Sequence, residues 1–227
     1  MPVPRPLRTS ESHPLRIDTV QARPGWGLIG MSLCPGKQQV DGLSGHWQRD
    51  LGVDLEHIRA WGASIVVSLV EHHEFAELGV EALPAEALRL GMAWRHLPIP
   101  DRQPPGLDFE QRWAEVGAEL FVALREGRRI FLHCKGGLGR TGTVAACLLR
   151  EAGVGAAEAV TQALMTALPE GLKLRTLQWG KTGWDKTTGI FRLDASAKYA
   201  AYFVAEAAED ETVFTDFVLK GTVKERE

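Results

Sequence analysis

A chain of 227 residues that is 44% apolar can close one sizeable core with a small appendage, so a single α/β domain is the first expectation. A formal charge of -3, with basic residues scattered along the chain, gives no sequence-wide positive field and counts against nucleic acid or an anionic membrane as the main partner. Three cysteines, Cys34, Cys134 and Cys147, lack paired spacing, are unlike a disulfide framework or a zinc site, and fit a reducing, cytoplasmic setting. Residues 1–24 are polar and rich in proline and read as a loose N-terminal segment. No run approaches the roughly 18 apolar residues of a membrane span.

Residues 26–33 (WGLIGMSL) read as a strand stopped by Cys34-Pro35-Gly36, and a loop is expected after it. From Trp47 the apolar positions Trp47, Leu51, Leu55 and Ile58 recur at a helical period, and Gly62 stands where a C-terminal cap belongs. The segment SIVVSLV, residues 64–70, has the composition of a buried strand. Two weaker helical pieces fall within residues 74–90, and a further strand at 93–97 runs into the prolines 98, 100, 104 and 105, which fence a loop containing Asp101. Residues 108–126 carry Phe109, Trp113, Val116, Leu120 and Leu124 along one stripe, the clearest helix in the chain. After Gly127 the strand RIFLH, 129–133, delivers the chain into HCKGGLGRTG. A second long helix, 141–152, is apolar on nearly all sides and is expected to cross the core, and a last helix at 156–168 closes the regular domain.

Strand, glycine-rich loop and helix form an anion-binding layout, in which successive backbone N–H groups turn inward and the helix N-terminus adds partial positive charge. The nucleotide P-loop pattern requires a lysine followed by a hydroxyl residue at the loop's end, and neither it nor the dinucleotide fingerprint fits here. Cys134 is the informative residue. A thiol among N–H donors and beside a guanidinium favours the thiolate, and such sites titrate at about 3.5 to 7.5. Arg140 can offer two parallel donors to phosphate oxygens. Thr141 could give its hydroxyl to the sulfur when the sulfur leaves, while His133 is better placed to hold the loop than to act as a base.

His133-Cys134, five residues, then Arg140-Thr141 resembles the H-C-x5-R-[ST] signature of cysteine-dependent protein tyrosine and dual-specificity phosphatases. The Cys34-Pro35-Gly36-Lys37 turn, Asp54, Gly62-Ala63 and Pro98-Ile99-Pro100-Asp101 are similar to the kinase-associated branch of that superfamily, and the resemblance spans residues 25 to 165. It implies a central, mostly parallel sheet flanked by helices at 25–168, with a C-terminal extension at 169–227 whose structure it leaves unassigned. The activity implied is hydrolysis of phosphotyrosine, phosphoserine or phosphothreonine in proteins through a phosphocysteine, without cofactor or metal. Cys134 is then the nucleophile, and Lys135, Gly136, Gly137, Leu138, Gly139 and Arg140 cradle the phosphate. Asp101, 33 residues before Cys134, is the general acid on a loop, and Asp108 reads as a helix cap.

Other readings stay open at this stage. One is a phosphatase for inositol phosphates or nucleotides. Tensin-like enzymes carry lysines at both loop positions corresponding to Lys135 and Leu138, and here the second is leucine. Another is a non-catalytic module that holds phosphorylated residues. Lys37 is a candidate to reach the site, Cys34 and Cys147 read as packing residues, and His72-His73 as a solvated loop pair. The extension suggests a hairpin turning at Gly183 or Gly189, a helix in 196–210 and a last strand in 212–221. Oligomeric state and physiological substrate are not written in the sequence.

Overall fold

Ile130 and Leu132 alternate with Phe131 and His133, and all four are buried, so this strand needs a covering layer on each face. The computed structural model describes residues 7–42, 45–167, 172–185, 190–201 and 217–223. Its elements in chain order are β1 (Leu7–Arg8), β2 (Asp18–Val20), β3 (Ile29–Ser32), β4 (Gln38–Gly42), β5 (Gly45–Gln48), α1 (Leu51–Trp61), β6 (Ala63–Ser68), α2 (His72–Glu77), α3 (Leu83–Arg89) and β7 (Ala93–His96). They continue with α4 (Leu107–Arg125), β8 (Arg129–His133), α5 (Gly139–Glu151), α6 (Ala156–Ala167), β9 (Leu172–Asp185), β10 (Ile190–Ala201) and β11 (Phe217–Val223).

The central sheet has five strands in the order β2-β3-β8-β6-β7, parallel throughout except for the antiparallel edge pair β2-β3. Ile130 and Leu132 join Met31, Ile65, Val67, Leu120, Val144 and Leu148 in one core layer, against α4 and α5. Phe131 joins Val66, Leu55, Ile58, Phe75 and Leu83 in the other, against α1, α2 and α3. The expected α/β architecture is therefore observed, with α5 buried along most of its length, from Arg140 and Thr141 to Leu148 and Leu149.

Register fixes where the chemistry sits. Ser32 pairs with His133, His133 with Ser68, and Ser68 with His96, so four parallel strands end on one row at their carboxyl edge. The loops leaving that row carry Cys34, Cys134, Glu74 and Asp101, at the place where open α/β sheets bind ligands.

Several expectations are corrected. The loop expected after Cys34 contains β4 and β5, which with β1 form a second small sheet in the order β1-β5-β4. Trp47 belongs to β5 and not to the following helix, because the Asp50 side chain accepts the Val53 N–H at 2.9 Å and caps α1 four residues after the expected start. Residues 7–24 are not loose: Leu15 is 3% exposed, β1 and β2 pair with other strands, and Arg49 Nη1 donates to the His13 carbonyl at 2.8 Å. Residues 1–6 lie outside the described residues. Asp108 is not a cap, since α4 starts at Leu107 behind Gly106 with no side-chain cap, and Asp108 lies inside its first turn. His72 and His73 open α2 and are not in a loop; the His72 ring meets the His96 ring edge-on at 4.7 Å.

In the extension β10 lies between β9 and β11, antiparallel to both. Residues 196–201, read as helix from their alanines, are paired in β10, since ladders on both edges override a weak local preference. Gly183 sits within β9 opposite Arg192 and not in a turn, the expected last strand is β11, and Gly189 and residues 202–210 lie outside the described residues.

A buried ion pair ties helix α1 to the turn at Gly36. Arg49 meets Asp54 through two parallel bonds of 2.7 and 2.8 Å, both side chains being 1% exposed, and Asp54 also accepts the Gly36 N–H at 2.8 Å. Asp54→Ala would leave the Arg49 charge buried without its partner and is expected to cost about 3–5 kcal/mol in a denaturant melt. Arg49→Met with Asp54→Leu should restore much of that loss.

Candidate active site

Cys134 leaves the end of β8 with 4% exposure, and its sulfur accepts the Gly137 N–H at 3.2 Å. That bond needs Gly137 at φ 80°, a conformation that side chains resist. The position is also closed to any Cβ, which would stand 2.6 Å from the Ser32 carbonyl carbon and 2.7 Å from the Leu33 nitrogen. By contrast Gly136 and Gly139 are exposed and a Cβ on either would meet nothing within 4 Å. The catalytic loop is thus folded tightly against the chain leaving β3, and Gly137 is the glycine that this approach demands.

The start of α5 is left open. Leu138 stands at its N-cap and offers no side-chain acceptor, so the first helical N–H groups are free for an anion. Arg140, in the first turn and 6% exposed, folds back over the loop. Its guanidinium donates to both oxygens of Glu74, at 2.5 and 2.9 Å, and to the Ile99 carbonyl at 3.2 Å. Its Nη2 also lies 3.3 Å from Asp101 Oδ1. Burial pushes the Glu74 carboxyl up, but the Arg140 bonds and the Glu71 N–H outweigh burial and hold it below its ordinary value. Burial likewise works against the Arg140 charge, and Glu74 reverses that and keeps the guanidinium firmly protonated.

Asp101 reaches the site through a turn. Leu97 N–H donates to the Ser68 carbonyl and Ile99 N–H to that of Leu69, so the pairing of β7 extends into the proline loop and aims it at the catalytic loop. Gln103 N–H then closes onto the Pro100 carbonyl, with Arg102 held at φ 57°. A left-handed non-glycine residue costs on the order of 1 kcal/mol and is tolerated where the turn fixes a neighbour's direction.

His133 is fully buried behind the thiol. Ser68 Oγ accepts from Trp94 Nε1 at 2.9 Å and shares a hydrogen bond of 2.7 Å with His133 Nε2. Burial pushes the His133 imidazole down to about 3, so it is a neutral support and not a base. Thr141 is buried, and its Oγ1 has no hydrogen-bond partner among the described residues; the structure does not bond it to the sulfur. Lys135 pairs with Glu77 at 3.4 Å on the rim, and Lys37 donates to the Lys135 carbonyl at 3.3 Å. Cys34 is buried close by with its thiol pushed well up by burial, and Cys147 sits on α5 with its thiol pushed up to about 12 for the same reason.

Glu74 is the residue that the sequence did not single out. The available signal was Glu71-x-x-Glu74 straight after a buried strand: Glu71 N–H donates to Glu74 Oε2 at 2.8 Å, which orients the carboxylate that receives Arg140.

A thiol at the carboxyl edge of a parallel sheet, an uncapped helix and a guanidinium folded over one loop form one compact site. Residues 42–154 match the family model described as Tc-R-P, polymorphic toxin system, DSP-PTPase phosphatase. Cyclin-dependent kinase inhibitor 3 of Rattus norvegicus is 34% identical over 122 residues, 54% of each chain, and that of Sus scrofa is 32% identical over the same shares. The match therefore spans about half the length of these curated relatives. A crystal structure of kinase associated phosphatase, with its catalytic-site cysteine substituted by serine, superposes with a TM-score of 0.57 at 24% identity, covering 66% of this chain and 82% of that one. Over residues 42–154 the chain is thus similar to dual-specificity phosphatases, and the kinase associated phosphatase structure shares its fold.

The His133 environment has a measurable consequence. The unfolded chain takes up a proton near the ordinary imidazole value of 6.5, the folded protein only near 3, so stability falls as pH drops between those values. The contribution is at most about 1.4 kcal/mol per pH unit. Chemical denaturation across this range should show that slope, and His133→Gln should flatten it.

Proposed function

We propose that this chain hydrolyses phosphomonoesters of protein side chains through a phosphocysteine intermediate. The observation that carries the reading is the convergence of three groups: the Cys134 sulfur bonded to Gly137 N–H, the Arg140 fork at the far end of the same loop, and Asp101 from the proline loop, 3.3 Å from that fork.

In the first step Cys134 Sγ attacks phosphorus in line. The bond from phosphorus to the ester oxygen breaks, its electron pair goes to that oxygen, and Asp101 supplies the proton. Arg140 and the N–H groups of residues 135–140 hold the equatorial oxygens. When phosphate enters, the Arg140 donor now directed at Asp101 turns to a phosphate oxygen, which frees Asp101 for proton transfer. In the second step water attacks phosphorus and gives its proton to Asp101, while the P–S bond breaks and returns its electron pair to sulfur. Thr141 Oγ1, buried with no other partner among the described residues, is the donor available to the departing thiolate.

The substrate class follows from the loop. Lys135 is engaged by Glu77 and Leu138 occupies the second rim position, so the rim offers little free positive charge beyond Arg140 for a polyphosphate head group. A single phosphorylated tyrosine, serine or threonine in a protein suits that charge, and the similarity to cyclin-dependent kinase inhibitor 3 and kinase associated phosphatase supports a protein substrate. Three free thiols fit a reducing cytoplasm.

Cys134→Ser is expected to abolish turnover of an aryl phosphate while phosphate-like oxyanions still bind, measured by kinetics and calorimetry. Near wild-type turnover would overturn the mechanism. Asp101→Asn should lose on the order of 10²- to 10⁴-fold on alkyl phosphates, whose leaving oxygen needs a proton, and clearly less on activated aryl phosphates. An equal loss on both ester types would remove Asp101 from its role.

A further inference from the structure

Lys37 is an unusual place for a lysine. Its side chain is buried, at 3% exposure, between the Trp47 ring, whose centroid lies 5.8 Å from Nζ, and the catalytic loop. One of its three donors goes to the Lys135 carbonyl, the peptide unit that directly follows the nucleophile. The turn that carries it is fastened from below, because Asp54 accepts the Gly36 N–H and is itself clamped by Arg49. Gly36, at φ 72°, lies against Leu51, where an added Cβ would come within 2.7 Å of the Leu51 side chain. Helix α1, the turn and the catalytic loop thus form one continuous brace. A structural tether alone could use a neutral donor, whereas a buried ammonium is costly unless negative charge is near it.

We propose that Lys37 is a positioning residue of the reaction, a second fixed cation that holds the catalytic loop through the Lys135 carbonyl and stabilises the Cys134 thiolate.

The surrounding charges fit this role. Burial pushes the Lys37 amine down to about 8; Cys34 and Cys134 act to keep its proton on, and Lys135 acts against it. Around the thiol stand Arg140 from α5, Glu74 from α2, Asp101 from the proline loop, Lys37 and Cys34 from the turn, Lys135 from the loop itself and the neutral His133 behind it. Glu74 and Asp101 both take up Arg140 charge. Lys37 has no carboxylate bonded to it among the described residues, so its charge, like that of Arg140, acts on sulfur.

The proposal rests on Cys134 being the nucleophile, and the test separates the two. The readout is the rate of iodoacetamide alkylation at Cys134, followed by peptide mass spectrometry from about pH 6 to 9, beside kcat/KM on an aryl phosphate. Lys37→Gln keeps a donor for the Lys135 carbonyl without charge, and should slow alkylation about tenfold at about pH 6 while matching wild type at about pH 9. Lys37→Met should do the same, and Lys37→Arg should retain the wild-type profile. If Lys37→Met does not fold, Lys37→Gln decides. A wild-type profile for Lys37→Gln, or a loss for Lys37→Arg as large as for Lys37→Gln, overturns the role of Lys37. A wild-type Cys134 no more reactive at about pH 6 than free cysteine overturns the nucleophile assignment instead.

Discussion

The approach of Gly137 to the Ser32-Leu33 backbone sets the geometry on which the site depends. It places two strand exits closer than any side chain would allow, and it can do so because Ser32 and His133 pair in a parallel ladder. From that contact the loop must curl with its N–H groups inward, which turns one of them onto sulfur. The same contact sets the Cys34–Lys37 turn against the loop, so that Lys37 finds the Lys135 carbonyl. Backbone meeting backbone is a stiff contact, and stiffness is what a cradle for a small, strongly charged group requires.

The electrostatic arrangement is preformed as well. Arg140 would be expensive to bury alone, and Glu74 compensates it with two bonds whose geometry the Glu71 N–H helps to fix. The fork is therefore aimed and desolvated by the protein itself. Asp101 comes from a different constraint, the strained turn at Arg102, so Asp101 and Arg140 are positioned by separate pieces of chain.

Much of this was legible in the residues. The buried strand at 63–68 and the strand at 129–133 announce themselves by β-branched or alternating apolar residues, and α4 by its stripe. Cys134, Arg140 and Asp101 could be named from spacing and the proline fence. What stayed hidden depended on contacts far apart in the chain. The small sheet of β1, β4 and β5 lacks β-branched runs, and Trp47 happens to fall on the helical period of α1. Glu74 carries no mark beyond its spacing from Glu71, because its partner lies 66 residues away. The alanines of β10 point to helix by propensity, and the ladders on either side decide otherwise.

Leu138 at the head of α5 has a thermodynamic meaning. A helix normally closes its first turn with a serine, threonine, aspartate or asparagine, and here that closure is missing. Under the proposed function, an oxyanion bound there would supply that cap and complete a helix that runs through the core. Occupancy and folding become linked quantities: an anion at 100 times its dissociation constant adds about 2.7 kcal/mol to the native state. On that reading, the concentration of inorganic phosphate around the protein would act as a variable of its conformational stability.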